Sequence, residues 1–278
     1  MTTADRSPAP LGRGLLRVSG RAEHGAYIVL AAPDPVGPSP LAGQFYMLAA
    51  ADRWGGGEDE RPVLPRAFSV LRATKAPALE LEFMLEAVGP GTSRLCDLRE
   101  GEGLYVLGPL GRGFTAPLDE RRAVLCGGGV GTAPLAILQD ELRAAGVDAP
   151  ALLGFRDEPH ATGAGLLAAV QVATDDGSVG HRGLVTDLLA AELDRGGHCA
   201  VYACGPPPML EAVRSMCAER AVPVQLALES GMACGYGACF GCVVPVRGGG
   251  YVRLCVDGPV LAGDDLESCL APAPGSLA

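Results

Sequence analysis

The stretch Ala123-Val124-Leu125-Cys126-Gly127-Gly128-Gly129-Val130-Gly131-Thr132-Ala133-Pro134 joins a short apolar run to a glycine-rich turn and then to a proline. From Pro134 to Ala145 apolar residues recur at helical spacing, and Gly146 stands where a helix C-cap would fall. Strand, tight turn and helix in this order make a βα unit. The N–H groups of such a turn point at an anion, and the helix dipole adds to their pull. Pro134 in the first helical turn costs no hydrogen bond. Thr132 occupies the third glycine position of G-x-G-x-x-G, so the string departs from the usual fingerprint.

Downstream, the pattern predicts strands at Ala151–Phe155, Gln171–Ala173 and Cys199–Ala203. Helices are expected from Gly165–Leu167 onward and near Thr186–Leu193. Alternation of this kind builds a parallel sheet with covering helices. A second glycine-rich turn, Cys204-Gly205-Pro206-Pro207-Pro208, follows the last of these strands. Ligands bind at the carboxyl ends of strands in open α/β sheets. Gly127, Gly128, Gly129, Gly131 and Thr132, with Cys204, Gly205 and Pro206, are therefore the candidate nicotinamide-nucleotide site.

Upstream of Arg121 the pattern differs. Short β segments are expected at Gly14–Val18, Tyr27–Ala31, Gln44–Leu48, Ala67–Leu71, Leu79–Leu85 and Gly103–Leu107, with glycine and proline between them. This suits a small antiparallel β-barrel. Residues 52–65, with three successive glycines and a charge run, read as a solvated loop without chemical role. On the barrel, Arg66-Ala67-Phe68-Ser69 offers a forked cation for pyrophosphate and a hydroxyl for a flavin ring edge. Val88-Gly89-Pro90-Gly91-Thr92-Ser93 adds N–H groups and hydroxyls.

After Val224 the chain turns glycine- and cysteine-rich and is not expected to continue the sheet. It reads Glu229-Ser-Gly-Met-Ala-Cys234-Gly-Tyr-Gly-Ala-Cys239-Phe-Gly-Cys242, with Cys255 beyond. C-x4-C-x2-C with a distant fourth cysteine is the plant-type [2Fe–2S] spacing. Zinc sites pair their ligands on two knuckles, so zinc, or four ordinary buried thiols, fits less well. Gly235, Gly237 and Gly241 supply the positive φ and close approach a cluster loop needs. Val243–Val246 and Tyr251–Cys255 read as a hairpin turning at Gly248-Gly249-Gly250, which returns Cys255 to the loop. The fold class expected is thus α+β multidomain: a barrel over 1–116, a parallel α/β domain over 117–225, a small hairpin domain over 226–270, and a tail over 271–278.

Composition narrows the partners. Of 278 residues, 48% are hydrophobic but only 5% aromatic, so the core must be built from Ala, Val and Leu. A net charge of −10 disfavours nucleic acid and anionic membrane. Residues 1–10 carry neither the basic nor the apolar part of a secretory signal, and no apolar run is long enough to span a bilayer. A soluble cytoplasmic protein is expected. Its ten cysteines then point to metal or redox chemistry rather than disulfides. The four histidines form no spacing pattern and read as surface residues.

The order Arg66–Ser69, Gly89-x-Gly91-Thr92, Gly108-Pro-Leu-Gly-Arg-Gly-Phe114, Gly127–Pro134 and Cys204–Leu210 resembles the ferredoxin-reductase superfamily. The loop Met232–Pro245 and the run Cys255-Val-Asp-Gly-Pro-Val260 resemble, within it, the electron-transfer subunits of class 1B dihydroorotate dehydrogenase, over about Gly14 to Leu261. The run Thr174-Asp175-Asp176-Gly177-Ser178, with Gly183 and Thr186-Asp187, is similar to that family's NAD domain. The resemblance implies FAD, one [2Fe–2S] cluster and NAD. It also implies a partner, the FMN-containing catalytic subunit that oxidises dihydroorotate, in a heterotetramer of two copies of each. It places FAD contacts on Arg66, Ala67, Phe68, Ser69, Met84, Leu85, Glu86, Gly91 and Thr92, and the cluster on Cys234, Cys239, Cys242 and Cys255. Two positions depart from the family: Ala67 stands where many relatives have Pro, and Leu85-Glu86 where relatives often have an aromatic or basic pair.

The superfamily often has a thiol near the nicotinamide where Cys204 stands; a strand-end core cysteine fits the position equally well. Related flavin/iron–sulfur subunits serve ferredoxin:NAD(P) oxidoreductases, sulfide dehydrogenases and hydrogenases, and a zinc-binding interaction module is the alternative outside enzymes. Arg156 and Asp157 follow the second strand of the α/β domain; one would welcome and the other repel a 2′-phosphate, so the residues leave NAD and NADP both open.

Overall fold

The computed structural model describes residues 13–55, 62–75, 78–117 and 121–270. The expected tail at 271–278, the Pro-rich start at 1–10 and part of the 52–65 loop lie outside the described residues.

The first lobe holds β1 (Arg13–Arg17), β2 (Gly20–His24), β3 (Tyr27–Pro33), β4 (Phe45–Ala50), β5 (Arg66–Ser69), β6 (Arg72–Lys75), β7 (Leu79–Glu86), α1 (Pro90–Cys96) and β8 (Gly103–Leu110). In place of the expected barrel, hydrogen bonding among the described residues gives two four-stranded antiparallel sheets, ordered β1-β8-β4-β5 and β2-β3-β7-β6. They share one core of Leu30, Tyr46, Leu48, Leu81, Phe83 and Leu85. Tyr46 and Phe83 meet edge to face, with ring centroids 5.5 Å apart. The strands β2 and β6 were not foreseen. Both are sheet edges of polar sequence, and an edge strand needs no apolar alternation.

The second lobe is built from β9 (Arg122–Gly128), α2 (Thr132–Ala144), β10 (Ala151–Phe155), α3 (Glu158–Ala161), β11 (Val170–Thr174), β12 (His181–Arg182), α4 (Val185–Asp194), β13 (Cys199–Cys204), α5 (Pro207–Glu219) and β14 (Val224–Ala227). Together with β17 (Val260–Ala262) the strands order as β12-β11-β10-β9-β13-β14-β17, all parallel except β17. The chain winds outward from β9 in one direction and then resumes at β13 on its other side. The β9/β13 junction is therefore the topological switch point, where such sheets bind ligands.

Two expectations about this lobe are corrected. No helix continues beyond Leu167: a 3-10 turn, Thr162–Leu166, gives way to extended chain. The buried side chain of Gln139 holds that chain, since its amide donates to the Ala149 and Ala168 carbonyls (2.8 Å each) and its oxygen accepts from Ala168 N (2.8 Å). Nor does the sheet stop at Val224. The strand β14 runs through the expected boundary at 225, and β17 returns from beyond the cysteines to pair with it, Leu226 opposite Leu261. The glycine-rich composition after 224 masked a four-residue strand.

Between those two strands lies the cysteine segment. Its hairpin, β15 (Val243–Pro245) and β16 (Tyr251–Arg253), pairs Val243 with Arg253 and Val244 with Val252. No helix among the described residues is long and apolar enough to cross a membrane.

Candidate functional site

The hairpin brings distant thiols together. Leu254 N donates to the Cys242 carbonyl (3.0 Å), and Cys242 Sγ lies 3.3 Å from Cys255 Sγ, both residues buried. Cys234 and Cys239 stand on the loop above them, Cys239 exposed. Cys239 N donates to Cys234 Sγ (3.5 Å) and Gly241 N to Cys239 Sγ (3.4 Å). Gly235 and Gly237 take φ of +79° and +87°, as the loop requires. The third left-handed residue is Phe240 at +57° rather than Gly241, whose role is close approach to the Cys239 sulfur.

These thiols differ in acidity. Burial raises Cys234, but N–H groups of Cys239, Tyr236 and Ala238 outweigh it and bring the thiol down to about 6. Cys255 is pushed up to about 12 by burial and by its contact with Cys242. The pair Cys242–Cys255 and the pair Cys234–Cys239 are each formed; among the described residues the four are not gathered into one converged ligand set. Thiolate sulfurs reached by backbone N–H groups are nonetheless the donor chemistry of an iron–sulfur loop, so the residues fit the group.

Beside this loop a cavity of about 450 Å³ is lined by Arg66, Ala67, Phe68, Ser69, Met84 and Thr92 from the first lobe, and by Leu228–Met232 from the approach to the cysteines. Thr92 Oγ1 accepts from Val88 N (2.9 Å) and Gly89 N (3.0 Å), capping a helix the sequence reading missed. Gly91 lies directly under the Arg66 guanidinium, and a Cβ there would come within 2.7 Å of Nε. Arg66 also stands 5.9 Å from the Trp54 ring centroid and donates to the Leu64 carbonyl (2.6 Å). The 52–65 segment, expected to be without a role, thus helps to hold the arginine. Leu85 is fully buried and lines neither cavity.

A second cavity, about 610 Å³, opens at the switch point. Gly128, Gly129 and Val130 line it from the β9 turn, with Gly205 and Pro206 from the β13 turn. Gly131 packs against the Cys204 backbone, where a methyl group would collide with the carbonyl oxygen. Gly127 and Thr132 are buried behind the turn, and Thr132 Oγ1 has no hydrogen-bond partner among the described residues. Cys204 lines neither cavity: it is 1% exposed, and burial, then Glu229, push its thiol well above the ordinary range. It reads as a core cysteine.

Of the residues lining the second cavity, Arg156 and Asp175 stand in segments expected near the nucleotide, whereas Tyr27 and His160 were not expected there. Glu86, expected at the flavin, faces the second cavity with Tyr27, Arg156, His160 and Asp175. His160, expected on the surface, is held between Arg156 and Asp157. Val130 and Glu229 line both cavities, so the two are neighbours. Glu229 is exposed at the edge the two cavities share. Only the packing of the lobes brings Tyr27, Glu86 and His160 to this cavity.

Two glycine turns at a switch point, facing an antiparallel lobe, define the ferredoxin-reductase class of fold. The chain is similar to the structure described as an NADH-dependent reduced ferredoxin-NADP oxidoreductase, with a TM-score of 0.75 and 25% identity over 92% of this chain and 91% of the other. Phthalate dioxygenase reductase shares the fold at a TM-score of 0.59 and 17% identity, over 93% of this chain and 96% of the other. Residues 229–267 match the family model described as the iron-sulfur cluster binding domain of dihydroorotate dehydrogenase B. Over 241 residues the chain is 35% identical to the "Dihydroorotate dehydrogenase B (NAD(+)), electron transfer subunit" of Desulforamulus reducens, covering 84% of this chain and 89% of the relative. The protein of that name from Geobacillus sp. (strain WCH70) is 40% identical over 72% of this chain and 78% of its own length. The chain belongs to the family of dihydroorotate dehydrogenase B electron-transfer subunits, which makes it an oxidoreductase subunit.

Proposed function

We propose that this chain carries electrons between a dihydroorotate-oxidising partner and NAD. It would hold FAD in the cavity of Arg66–Ser69, NAD in the cavity of the two glycine turns, and a [2Fe–2S] cluster on Cys234, Cys239, Cys242 and Cys255. One observation supports this reading above others. The cysteine loop forms a wall of the flavin cavity through Ser230, Gly231 and Met232, and Gly235 packs against Met47, the cross-strand neighbour of Ala67. A single layer of side chains therefore separates the thiol loop from the flavin motif.

When bound, the cluster supplies one-electron transfer and the flavin couples it to two-electron hydride exchange with the nicotinamide. The chain supplies position and charge. Arg66 carries the permanent cation for a pyrophosphate, and Ser69 presents a hydroxyl at the same wall. Gly129 and Val130 offer N–H groups at the start of α2. Val130 and Glu229, common to both cavities, set where the two dinucleotides meet. Buried Cys204 keeps its proton and takes no part.

In this reading residues 1–116 form the FAD-binding lobe of two antiparallel sheets, 117–225 the NAD domain and 226–270 the cluster domain, the last two tied by β14 and β17. The partner is the FMN-containing catalytic subunit, two copies with two of this chain, in the cytoplasm. Tyr236, Phe240 and Tyr251 lie exposed on the cysteine segment that also bears Cys239, and such aromatics suit the centre of a protein interface. Co-expression with a catalytic subunit tests the proposal: the complex should form orotate with NAD reduction, and a subunit that binds no such partner would defeat it. The likeness to the NADH-dependent ferredoxin-NADP oxidoreductase favours a second reading, service to a ferredoxin-linked enzyme, which the same pull-down separates.

A further inference from the structure

Arg253 ends β16, two residues before Cys255, and its side chain reaches back over the cysteine loop. Its Nη1 donates to the Gly237 carbonyl (3.1 Å), in the stretch between Cys234 and Cys239. Its guanidinium carbon lies 5.2 Å from the ring centroid of Phe240, in the stretch between Cys239 and Cys242. One side chain therefore grips both spacers of the loop from the strand that leads to the fourth cysteine. Phe240 holds a left-handed φ of +57°, a conformation that persists in a bulky residue only where its neighbours enforce it. A cation against the ring face is such a neighbour.

Gly237 joins this contact to the thiols. It is buried, and a methyl group there would come within 2.7 Å of Val256 and 3.2 Å of Arg253 Nη1. Its carbonyl accepts from Arg253, while its N–H favours the Cys255 thiolate. The arginine thus fixes the residue whose N–H serves the fourth sulfur.

Charge adds to this. From Glu229 to Val260 the basic residues are Arg247 and Arg253, in a chain of net charge −10. Arg247 is exposed beside the hairpin turn, where its N–H bonds to the Asp265 carbonyl. Arg253 is half-buried, so solvent screens its charge less. Asp257 faces it: Oδ2 accepts from Arg253 N (3.1 Å) and stands 3.6 Å from Nε. A site of four thiolates gains negative charge when an electron arrives. The potential of an iron–sulfur site follows its net charge and the hydrogen bonds to its sulfurs.

Resting on the cluster assignment proposed above, we infer that Arg253 is a positioning residue that raises the reduction potential of the cluster, through its charge and by holding Gly237 and Phe240. Asp257 is the opposing charge. Together the two side chains set the potential at which the cysteine segment accepts an electron.

The test is a redox titration of the anaerobically purified, cluster-loaded chain, followed by electron paramagnetic resonance, with iron analysis of each variant. Arg253→Gln should lower the potential by about 59 mV, a tenfold change in a one-electron equilibrium. Arg253→Lys keeps the charge and should stay close to the unsubstituted value. Asp257→Asn keeps an acceptor for the Arg253 N–H, removes the opposing charge and should raise the potential. Opposite shifts from the two partners are the mark of a charge effect, whereas a loop merely loosened would move both the same way. If Arg253→Gln holds no iron, the lysine and asparagine variants carry the test. Shifts of the glutamine and asparagine variants in one direction, no shift in either, or a fall in Arg253→Lys equal to that in Arg253→Gln would overturn the inference. An unsubstituted chain without iron would remove the cluster assignment itself; full iron with unmoved potentials would remove the inference alone.

Discussion

Cys242 Sγ and Cys255 Sγ lie 3.3 Å apart, held by a hairpin whose strands pair Val243 with Arg253. The hairpin thus fixes where Cys255 stands relative to Cys242. Cys239→Ser should remove electron delivery to the partner by a factor of about a hundred or more, since the relay lacks its one-electron carrier. Oxidation of NADH by a two-electron dye should persist. Steady-state assays with both acceptors check this, and an equal loss of both activities would speak against the relay.

Leu254, fully buried beside Cys255 and bonded through its N–H to the Cys242 carbonyl, anchors the hairpin to the rest of the chain. Leu254→Ala should cost about 2–5 kcal/mol, the usual range for a large-to-small change in a core. The loss should be local. In a urea titration, iron release should move to lower denaturant while flavin release stays in place.

A methyl group at Gly131 would strike the Cys204 carbonyl and force the two glycine turns apart. Gly131→Ala should raise the KM for NADH about tenfold, equivalent to roughly 1.4 kcal/mol of binding. Iron and flavin contents should not change. A variant that loses flavin but binds NADH normally would show that the cavities are assigned the wrong way round.

Glu211 fastens the end of the described chain to α5: its carboxylate accepts from Arg214, from Cys269 N (2.7 Å) and from Ser268 Oγ (3.1 Å). The hydrogen bond from Arg214, with these others, lowers its pKa from 4.5 to about 2. A depressed carboxylate stabilises the fold fully above its unfolded value, and the stabilisation is lost as pH falls toward the folded one. Stability should therefore decline between about pH 4.5 and pH 2 through this group. Glu211→Gln should flatten that part of the profile in thermal melts, with an already lower plateau at neutral pH.

Local chemistry was legible in the sequence wherever one segment carried it whole. The turn from Cys126 to Pro134, the strand Ala151–Phe155 and the hairpin after Cys242 follow from spacing, glycine placement and apolar runs. What escaped depends on meetings between segments. Polar edge strands such as Gly20–His24 have no buried face to announce them, and Val224–Ala227 is a strand because Val260–Ala262 returns to pair with it. Cys204 read equally well as a thiol near the nicotinamide or as a strand-end core cysteine, and its burial decides for the second. His160 looked like a surface residue and is part of a network, because Glu86 reaches it and Arg156 from another lobe.

Metal and flavin analysis of the anaerobically purified chain tests the central claim most directly. Two irons with matching acid-labile sulfide and about one flavin per chain are expected from a plant-type cluster beside a flavin site. One zinc, no sulfide and no flavin in a folded sample would contradict the account.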